Sequence, residues 1–367
     1  MSTPFWEKIK LPDLKLGFAF RSSSVAGIDI GSDAVKVVQL KKSGPRITLE
    51  TYGELKAERY FEKEPSPDGG GFLNYRDESI ARLLTDLRRD ANVTSLRTVF
   101  SIPSTVSFIT SIQLPFLRGE ELSSAVPFEA KKYIPIPLAE VALDWQVLEE
   151  DAASNRMTVL LAAVPREVVA KYQRVSGLMK LELEAVEIEN FSLVRSLLPN
   201  DRGVAAIVQW GAMVTTLTVA DRGRIRASHN FGRGAREITS TIARSLGVSA
   251  ERAEEVKRST GLSEQPEARD TASIIAPIVD SILADLERAL AVYNRTAPRK
   301  VERIVLTGGG SSLAGLVDRV AKRFGLETTA GNPFTRLEVP PLLNPTLKDI
   351  APDFSVAIGL ALRQLLS

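Results

Sequence analysis

Four residues near the start of the chain have the types and spacing of a phosphate and metal site. Asp29 stands one residue before the end of an apolar run, and Lys36 follows seven residues later. Between them, Gly31 lets backbone N–H groups approach an anion, and the Ser32 hydroxyl adds a donor. A carboxylate at this place suits a hydrated magnesium ion, which prefers oxygen ligands and keeps several waters. The same residues also fit a plain hairpin turn with a solvated Asp and Lys.

Two other segments, far apart in the chain, have notable residue spacing: a triple glycine and a charged pair on a predicted helix. Gly308–Gly310 directly follows a strand-like apolar run, so bare backbone and a helix N-terminus come to one place that suits a nucleotide. We predict that Ser311 or Ser312 caps the helix that follows. Glu254 and Lys257 stand three residues apart on another predicted helix, which places both side chains on one face.

Composition excludes several kinds of site. The 367 residues are 44% apolar and 25% charged, which is typical of a globular protein of two or more domains. There is no cysteine and one histidine, His229, so thiol nucleophiles, zinc–thiolate centres and multi-histidine metal sites are excluded. The net charge of +2 gives no basic field for nucleic acid. No apolar run approaches the roughly 18 residues of a membrane span and no secretory signal is visible, so we expect a cytoplasmic protein.

The elements that position the candidate residues occur twice. Strand, glycine turn, strand, strand and helix follow one another after residue 25 and again after residue 204, which indicates a duplicated α/β fold. The strands predicted in the first copy cover 25–30, 34–40, 46–52 and 97–102, with a helix over 77–90; those in the second cover 204–210, 214–220, 224–230 and 303–307. A compact α+β segment at 106–186 interrupts the first copy and is typical of an interaction module.

The apolar residues at the two ends of the chain allow more than one structural interpretation. Residues 1–24 interleave aromatic and basic side chains, so this arm could contact an acidic membrane surface, pack on its own domain or be a disordered tail. Residues 353–366 form an amphipathic helix, for which packing in a core is favoured over lying on a membrane.

Four segments of the chain together resemble a known family. They are Gly27-Ile-Asp-Ile-Gly-Ser-Asp-Ala-Val-Lys36, residues 128–148, Val186-Glu-Ile-Glu-Asn-Phe-Ser-Leu-Val-Arg195 and Leu306-Thr-Gly-Gly-Gly-Ser-Ser-Leu-Ala-Gly-Leu316. In this order, over 25–367, the chain resembles PilM, the actin-like cytoplasmic component of type IV pilus assembly, itself similar to the cell-division protein FtsA. The glycine-rich motifs are shared by all actin-like ATPases. The segment that reads Glu-Ala-x-x-Tyr-Ile-Pro-x-Pro-Leu-x-Glu-Val-x-Leu-Asp from Glu129 is more discriminating.

The resemblance implies an actin-like ATPase fold. Two duplicated ribonuclease-H-like domains would enclose a cleft for ATP and Mg²⁺, and an FtsA-type α+β subdomain would be inserted. The implied division is an arm at 1–24, a first subdomain at 25–105 completed by 187–200 and 340–367, an inserted subdomain at 106–186 and a second domain at 201–339.

The resemblance also assigns the phosphate end of the site. Gly31 and Ser32 match the first phosphate turn, and Lys36 matches the lysine that reaches the phosphates. Asp29 matches the acid that holds magnesium through water. Glu189 falls where related proteins place a glutamate that orients water, which is the implied catalytic role.

The nucleoside end follows the family, whereas the second phosphate turn departs from it. Glu254 and Lys257 match the pair that brackets the ribose and adenine, and the adenosine motif matches three consecutive residues, Gly308, Gly309 and Gly310. The second turn usually reads Asp-x-Gly but is Gln209-Trp-Gly211 here. Because a carboxamide carries no charge, it stabilises a magnesium–phosphate cluster less than a carboxylate does. We therefore expect ATP binding to survive and hydrolysis to be slow or absent.

The implied function is that of a nucleotide-binding scaffold at the cytoplasmic face of the inner membrane. Its implied partners are the cytoplasmic tail of PilN, bound near the inserted segment, and the inner-membrane pilus platform. No nucleic-acid partner is expected, and the resemblance leaves self-association and membrane contact through partners open. Two alternatives belong to other classes: a small-molecule kinase of the actin-like fold, which needs a substrate pocket with a catalytic carboxylate, and an FtsA-like membrane-associated filament protein, which needs a strongly amphipathic terminal helix.

Overall fold

The chain divides into two compact units. The computed structural model describes residues 23–57, 60, 72–263 and 265–366. The first unit comprises the described residues up to 192 together with 224–226 and 356–366, and the second comprises those of 193–223 and 227–355. All but the last two residues of the arm at 1–24 lie outside the described residues, so its interpretations stay predictions.

The first unit contains a five-stranded sheet and a three-stranded sheet. Its strands in chain order are β1 (Ser24–Ile30), β2 (Ala34–Ser43), β3 (Arg46–Lys56), β4 (Arg97–Ile102), β5 (Phe108–Leu114), β6 (Val141–Asp151), β7 (Arg156–Pro165) and β8 (Glu182–Ile188). The helices described before residue 193 are α1 (Asp77–Asp90), α2 (Gly119–Ala130), α3 (Arg166–Leu178) and the start of α4 (Glu189–Leu197). The larger sheet has the order β3-β2-β1-β4-β8, and the smaller one has the order β5-β7-β6.

Three strands of the larger sheet run in the same direction. β1 pairs in parallel with β4, and β4 pairs in parallel with β8. The carboxyl ends of parallel strands meet at one edge of a sheet, where α/β proteins usually bind their ligands. This edge therefore collects Asp29, Ser101 and Glu189, which are far apart in the sequence.

Helices α1 and α3 pack on one face of this sheet. The bounds of α1 agree with the predicted 77–90, and the helix buries the apolar stripe that predicts it, namely Ile80, Leu83, Leu84 and Leu87. The side chain of Asp77 accepts hydrogen bonds from Lys171 at 2.8 Å and Arg174 at 2.6 Å, and so ties α1 to α3.

Residues 108–165 form the smaller layer around a core of their own. Val126 of α2 packs there with Ile112 of β5 and Leu161 of β7. Helix α3 and strand β8 belong instead to the larger sheet, since Tyr172 and Val175 lie in its core. The division that places all of 106–186 in one inserted subdomain stays a prediction.

The second unit repeats the arrangement of the first. Its strands are β9 (Val204–Trp210), β10 (Thr215–Asp221), β11 (Arg224–Phe231, of which 227–231 belong to this unit), β12 (Arg303–Thr307) and β13 (Glu327–Ala330). Its α-helices are α5 (Ala235–Leu246), α6 (Ala250–Thr260), α7 (Arg269–Thr296), α8 (Leu316–Phe324) and α9 (Asn344–Ile350). The sheet order β11-β10-β9-β12-β13 corresponds strand for strand to β3-β2-β1-β4-β8. The predicted duplication of an α/β fold is therefore confirmed.

The last helix, α10 (Ser355–Leu366), is a core element, as expected. Val356, Leu360 and Leu362 are each at most 3% exposed. Gly27 of β1 packs so closely on α10 that a Cβ added to it would lie 2.1 Å from the carbonyl oxygen of Ala357. Within the described ranges, none of the helices combines the length and apolar character that crossing a bilayer requires.

Two strands, two helices and one helix start differ from the sequence predictions, which contain no counterpart of α4 or α9. β8 and β13 have no predicted counterpart, because β8 carries an acidic residue at three of its seven positions and β13 has only four residues. The prediction that Ser311 or Ser312 caps a helix is wrong. Both serines lie in a 3₁₀ turn, Gly309–Ser312, and α8 begins only at Leu316 after Gly315.

Candidate functional site

Asp29 lies at the carboxyl edge of the larger sheet in the first unit. Its side chain is buried and accepts a hydrogen bond from Ser101 Oγ at 2.8 Å. Ser101 Oγ in turn accepts a hydrogen bond from the Ile30 N–H at 3.0 Å. These two bonds join the ends of β1 and β4 and hold the carboxylate in a fixed orientation.

The predicted phosphate turn and its lysine lie beside Asp29. Asp29 and Lys36 are directly opposite each other in the β1–β2 register, so their side chains share a face and their Cβ atoms are about 5 Å apart. The Gly31 N–H donates to the Ala34 carbonyl at 3.1 Å, and a Cβ on Gly31 would lie 2.9 Å from that oxygen. Ser32 is exposed on the same turn. The structure therefore brings four of the predicted residues together.

Glu189 lies at the same edge, on the far side of β4. It is the first residue of α4, directly after β8, and its Oε1 accepts a hydrogen bond from the Ser104 N–H at 2.7 Å. Strands in a sheet are about 4.8 Å apart, so one intervening strand puts the backbones of Asp29 and Glu189 about 10 Å apart. Strand β4 lies between them, with Ser101 against the Asp29 carboxylate.

The second predicted phosphate turn has the backbone arrangement of the first. Gln209 pairs with Thr216 across β9 and β10, as Asp29 pairs with Lys36. The Gly211 N–H donates to the Val214 carbonyl at 3.0 Å, and the Gly211 carbonyl accepts from the first N–H of α5 at 2.9 Å. The first turn has a carboxylate and an amine at its paired positions, whereas the second has a carboxamide and a hydroxyl.

A pocket in the second unit collects the residues predicted for ribose and adenine. Its lining is formed by α5, α6, the triple-glycine turn and the segment before α10, and consists of Ala235, Ile238, Glu254, Lys257, Arg258, Gly309, Gly310, Ser312, Leu313 and Asp353. Four of these ten were predicted from the sequence. Gly308 lies at the end of β12, next to this lining, where its N–H donates to the Pro352 carbonyl at 3.0 Å.

A cluster of charges around the buried Lys257 forms one wall of this pocket. Lys257 is 8% exposed and donates to Glu254 Oε2 at 2.5 Å and to Thr239 Oγ1 at 2.9 Å. Arg258 donates to the other carboxylate oxygen of Glu254 at 3.0 Å. Burial raises the pKa of Glu254, but the hydrogen bonds from Lys257, Thr239 and Arg258 outweigh it and lower this pKa to about 2. The wall therefore presents a carboxylate that is ionised at neutral pH.

Two of the three glycines, Gly308 and Gly310, are required by close packing on Trp210. Gly308 has a φ of +82°, a conformation that side chains disfavour. A Cβ on Gly310 would lie 2.4 Å from the Cδ1 atom of the Trp210 ring, which is fully buried. The bulky residue of the second phosphate turn thus faces the core, and only a glycine fits above it.

Replacing Glu254 by glutamine is expected to lower the free energy of unfolding by about 1–3 kcal/mol at pH 7, because it leaves the buried Lys257 ammonium without its counterion. The pKa of Glu254 is lower in the folded protein than its ordinary value of 4.5, so its stabilisation is complete above pH 4.5 and is lost as the pH falls toward 2. Urea denaturation of both proteins between pH 7 and pH 3 should show a difference that shrinks with decreasing pH.

Glu255→Gln is the matched control for this substitution. Glu255 lies on the same helix, but its side chain is 67% exposed and pairs with the equally exposed Arg252. Its loss should change stability by less than about 0.5 kcal/mol at any pH. A pH-independent effect of Glu254→Gln would contradict the assigned ionisation.

Three polar or charged residues that act on the candidate site are absent from the sequence predictions. Ser101 orients Asp29, while Arg258 and Asp353 line the nucleoside pocket. Arg258 directly follows Lys257 in the sequence, so the prediction made for Lys257 could have been extended to it. No local pattern marks Ser101 or Asp353. Ser101 reaches the site through its hydrogen bond to Asp29 on a neighbouring strand. Asp353 lies in a turn more than 40 residues after the glycines and packs against Gly309.

The residues present fit a nucleotide and a hydrated cation. Among the described residues, no three acidic or histidine side chains cluster so as to enclose a metal ion. A cation at Asp29 would therefore keep most of its waters, as Mg²⁺ does. A Cβ on Gly31 would lie 2.9 Å from the Ala34 carbonyl oxygen, and one on Gly309 would lie 2.9 Å from Asp353 Oδ1, so both turns require glycine.

A separate groove lies in the first unit between β6 and β8. Each is the last strand of its sheet. Its lining residues come from both sheets, α4 and α10, and include Ala142, Asp144, Val164, Val186, Glu187, Ile188, Phe191 and Arg363. Three charged residues, Asp144, Glu187 and Arg363, are at most 9% exposed, and Arg363 Nε lies 3.9 Å from Glu187 Oε1. Asp144 belongs to the discriminating segment at 128–148.

Comparisons with known proteins agree with the resemblance read from the sequence. The family model described as type IV pilus assembly protein PilM matches residues 27–365. A chain of the solved PilM-PilN type IV pilus biogenesis complex is 25% identical, with a TM-score of 0.78 over 93% of this chain and 98% of that one.

Two more distant structures share the fold. The ethanolamine utilization protein EutJ from Carboxydothermus hydrogenoformans is 14% identical, with a TM-score of 0.53 over 92% of this chain and 89% of its own. MreB5 of Spiroplasma citri, solved with AMPPNP, is 12% identical, also with a TM-score of 0.53, over 92% and 94% of the two chains. The predicted actin-like ATPase fold is thus confirmed. The chain belongs to the PilM family of type IV pilus assembly proteins.

Proposed function

We propose that this chain is a nucleotide-binding scaffold that holds the cytoplasmic tail of PilN at the cytoplasmic face of the inner membrane. The likeness to a chain of the PilM-PilN complex, over 93% of this protein, carries the proposal. The groove in the first unit and the nucleoside pocket in the second supply one place for each ligand.

The nucleotide is proposed to be ATP with magnesium. Lys36 and the turn at Gly31 would receive phosphate oxygens, and Asp29 would hold the hydrated cation, which neutralises phosphate charge when bound. Glu254 would accept hydrogen bonds from ribose hydroxyls, and the exposed Arg258 guanidinium would stack on the base. Because Gln209 contributes no charge, hydrolysis is proposed to be slow or absent.

The PilN tail is proposed to bind in the groove between β6 and β8. Both are edge strands, and an extended peptide can add to a strand edge through main-chain hydrogen bonds while its side chains enter flanking pockets. The groove is lined mostly by apolar residues such as Val186, Ile188 and Phe191. Asp144, Glu187 and Arg363 place polar side chains among these apolar residues, which suits a peptide of mixed polar and apolar sequence.

The FtsA-like alternative is disfavoured by the position of α10. That alternative relies on a terminal helix that lies on a membrane, whereas α10 is buried in the first unit. The kinase alternative requires a second, substrate-binding pocket with a catalytic carboxylate. Phosphorylation of a small acid or sugar by the purified protein would reopen it.

Two binding measurements test the proposed function. Calorimetry with ATP, in magnesium and in EDTA, followed by a phosphate-release assay on the same sample, tests the nucleotide half. We expect saturable, magnesium-enhanced binding and phosphate release no faster than in a protein-free control. Fluorescence polarisation with a labelled peptide of the PilN cytoplasmic tail from the same organism tests the partner half. Absence of peptide binding would overturn the scaffold assignment, and steady turnover abolished by Asp29→Ala would replace it with an ATPase.

A further inference from the structure

The nucleoside pocket is lined by a second carboxylate, on a different element from the first. Glu254 lies on α6, whereas Asp353 lies in the 3₁₀ turn that directly precedes α10. Lys257 and Arg258 belong to the same lining, so among its described residues two carboxylates are balanced by two cations. The proposed roles use the residues of α6 and assign nothing to Asp353.

The backbone on both sides of Asp353 is fixed to the end of β12. The Pro352 carbonyl accepts hydrogen bonds from the Gly308 N–H at 3.0 Å and from the Thr307 hydroxyl at 2.8 Å. Thr307 Oγ1 is also hydrogen-bonded to Ser355 Oγ at 2.8 Å, and both residues are buried. Asp353 therefore lies between two anchored neighbours, which restricts the positions that its carboxylate can take.

The Asp353 carboxylate lies against the glycine turn of the pocket. A Cβ added to Gly309 would be 2.9 Å from Asp353 Oδ1, so this oxygen packs on the turn at that residue. On the α6 wall, Lys257 and Arg258 donate to the carboxylate of Glu254. The pocket therefore has carboxylate acceptors on two separate elements, one held by cations of α6 and one beside the glycine turn.

A nucleoside has hydrogen-bond donors in two places that match this arrangement. The ribose carries hydroxyl groups, and adenine carries an amino group at C6, at the other end of the molecule. The proposed function assigns Glu254 to the ribose, which leaves the base for Asp353. A carboxylate accepts hydrogen bonds and donates none, so it favours an amino group over a carbonyl oxygen at the same position. Ile238 and Leu313 of the lining supply apolar surface for the ring.

We propose that Asp353 selects a 6-aminopurine, because its carboxylate accepts a hydrogen bond from the amino group of the base. This inference rests on the proposed binding of ATP in the nucleoside pocket. Purines with a carbonyl group at C6, such as those of ITP and GTP, place an oxygen against the carboxylate and are rejected. Selection by an unfavourable contact with the wrong ligand is a general source of specificity.

Three nucleotides that differ at C6 of the base test this inference in the wild-type protein. ATP has an amino group there, purine riboside triphosphate has hydrogen and ITP has a carbonyl oxygen. Calorimetry in magnesium should give affinities that fall in this order, with ATP bound at least about tenfold more tightly than purine riboside triphosphate. Equal affinities for the three would overturn the inference. Binding of none of them would overturn the nucleotide half of the proposed function itself.

Asp353→Asn tests the residue, and Asp349→Asn is its matched control. Asparagine has the shape of aspartate, but its carboxamide donates as well as accepts. We therefore expect Asp353→Asn to bind ITP more tightly than the wild type does, and to bring the affinities for ATP and ITP within about threefold of each other. Asp349 is exposed on α9 and does not line the pocket, so its variant should keep the wild-type affinities.

The gain in affinity for ITP separates selection of the base from structural damage. Damage to the pocket would weaken binding of all nucleotides alike, and that result in Asp353→Asn would overturn the inference. A change in the affinity ratio of ATP to 2′-deoxy-ATP, with the ratio of ATP to ITP unchanged, would show that the carboxylate faces the ribose and would also overturn it. Both results would leave ATP binding by the wild type, and with it the proposed function, standing.

Discussion

Replacing Gly310 by alanine is expected to weaken ATP binding at least about 30-fold and to destabilise the second unit by about 1–3 kcal/mol. The new Cβ would lie 2.4 Å from the Trp210 ring and 2.9 Å from the Trp210 carbonyl oxygen. Trp210 is fully buried and cannot move away, so the glycine turn must shift toward the pocket that it lines. Calorimetry with ATP and urea denaturation measure the two effects.

Gly232→Ala is the control for this substitution. Gly232 lies in the same unit, does not have a positive φ, and a Cβ on it would meet no atom within 4 Å. It should bind ATP with wild-type affinity. If Gly310→Ala also bound ATP normally while losing stability, the pocket between α5, α6 and the glycine turn would not be the nucleoside site.

Replacing Ala142 by tryptophan is expected to weaken binding of the PilN tail peptide at least about 100-fold, which corresponds to about 2.7 kcal/mol. Ala142 is half-buried on β6 and lines the groove, so an indole ring would occupy the space proposed for the peptide. ATP affinity should not change, because Ala142 is on the smaller sheet, whereas Asp29 and Lys36 are on the larger sheet and the nucleoside pocket is in the other unit. Fluorescence polarisation and calorimetry on the same preparation measure both.

Ala139→Trp separates a blocked groove from a general effect of a large side chain. Ala139 is exposed three residues earlier in the chain and does not line the groove. This variant should bind the peptide as the wild type does. Normal peptide binding by Ala142→Trp would place the partner site elsewhere, and equal losses in both variants would indicate damage to the smaller sheet.

Local patterns were sufficient for most secondary structure. The apolar stripe of α1 and the alternating or continuous apolar runs of β4, β9 and β12 predicted these elements with the bounds that the structure has. Such patterns are reliable because burial of one face, or of both faces, imposes a period on the residues themselves. β8 was missed because its three glutamates mask a strand whose last four residues are buried.

The candidate site likewise contains residues that local sequence patterns identify and residues that they do not. Glycine turns, and charged residues at helical spacing, are visible in the sequence because their chemistry depends on neighbours a few residues away. Asp29, Lys36, Glu254, Lys257 and the three glycines could therefore be identified in advance. Ser101 and Asp353 could not, because each reaches its position through pairing or packing with a distant segment.

The sequence by itself determined the family, the duplicated α/β pattern and the motif residues, since these depend on residue types in a fixed order. Only the tertiary structure decided that Trp210 faces the core, that α10 is buried, and that Asp144 borders a groove between two strand edges. The physical reason is that strand order and helix packing bring together residues more than 40 positions apart. No local periodicity encodes which of those distant residues will meet.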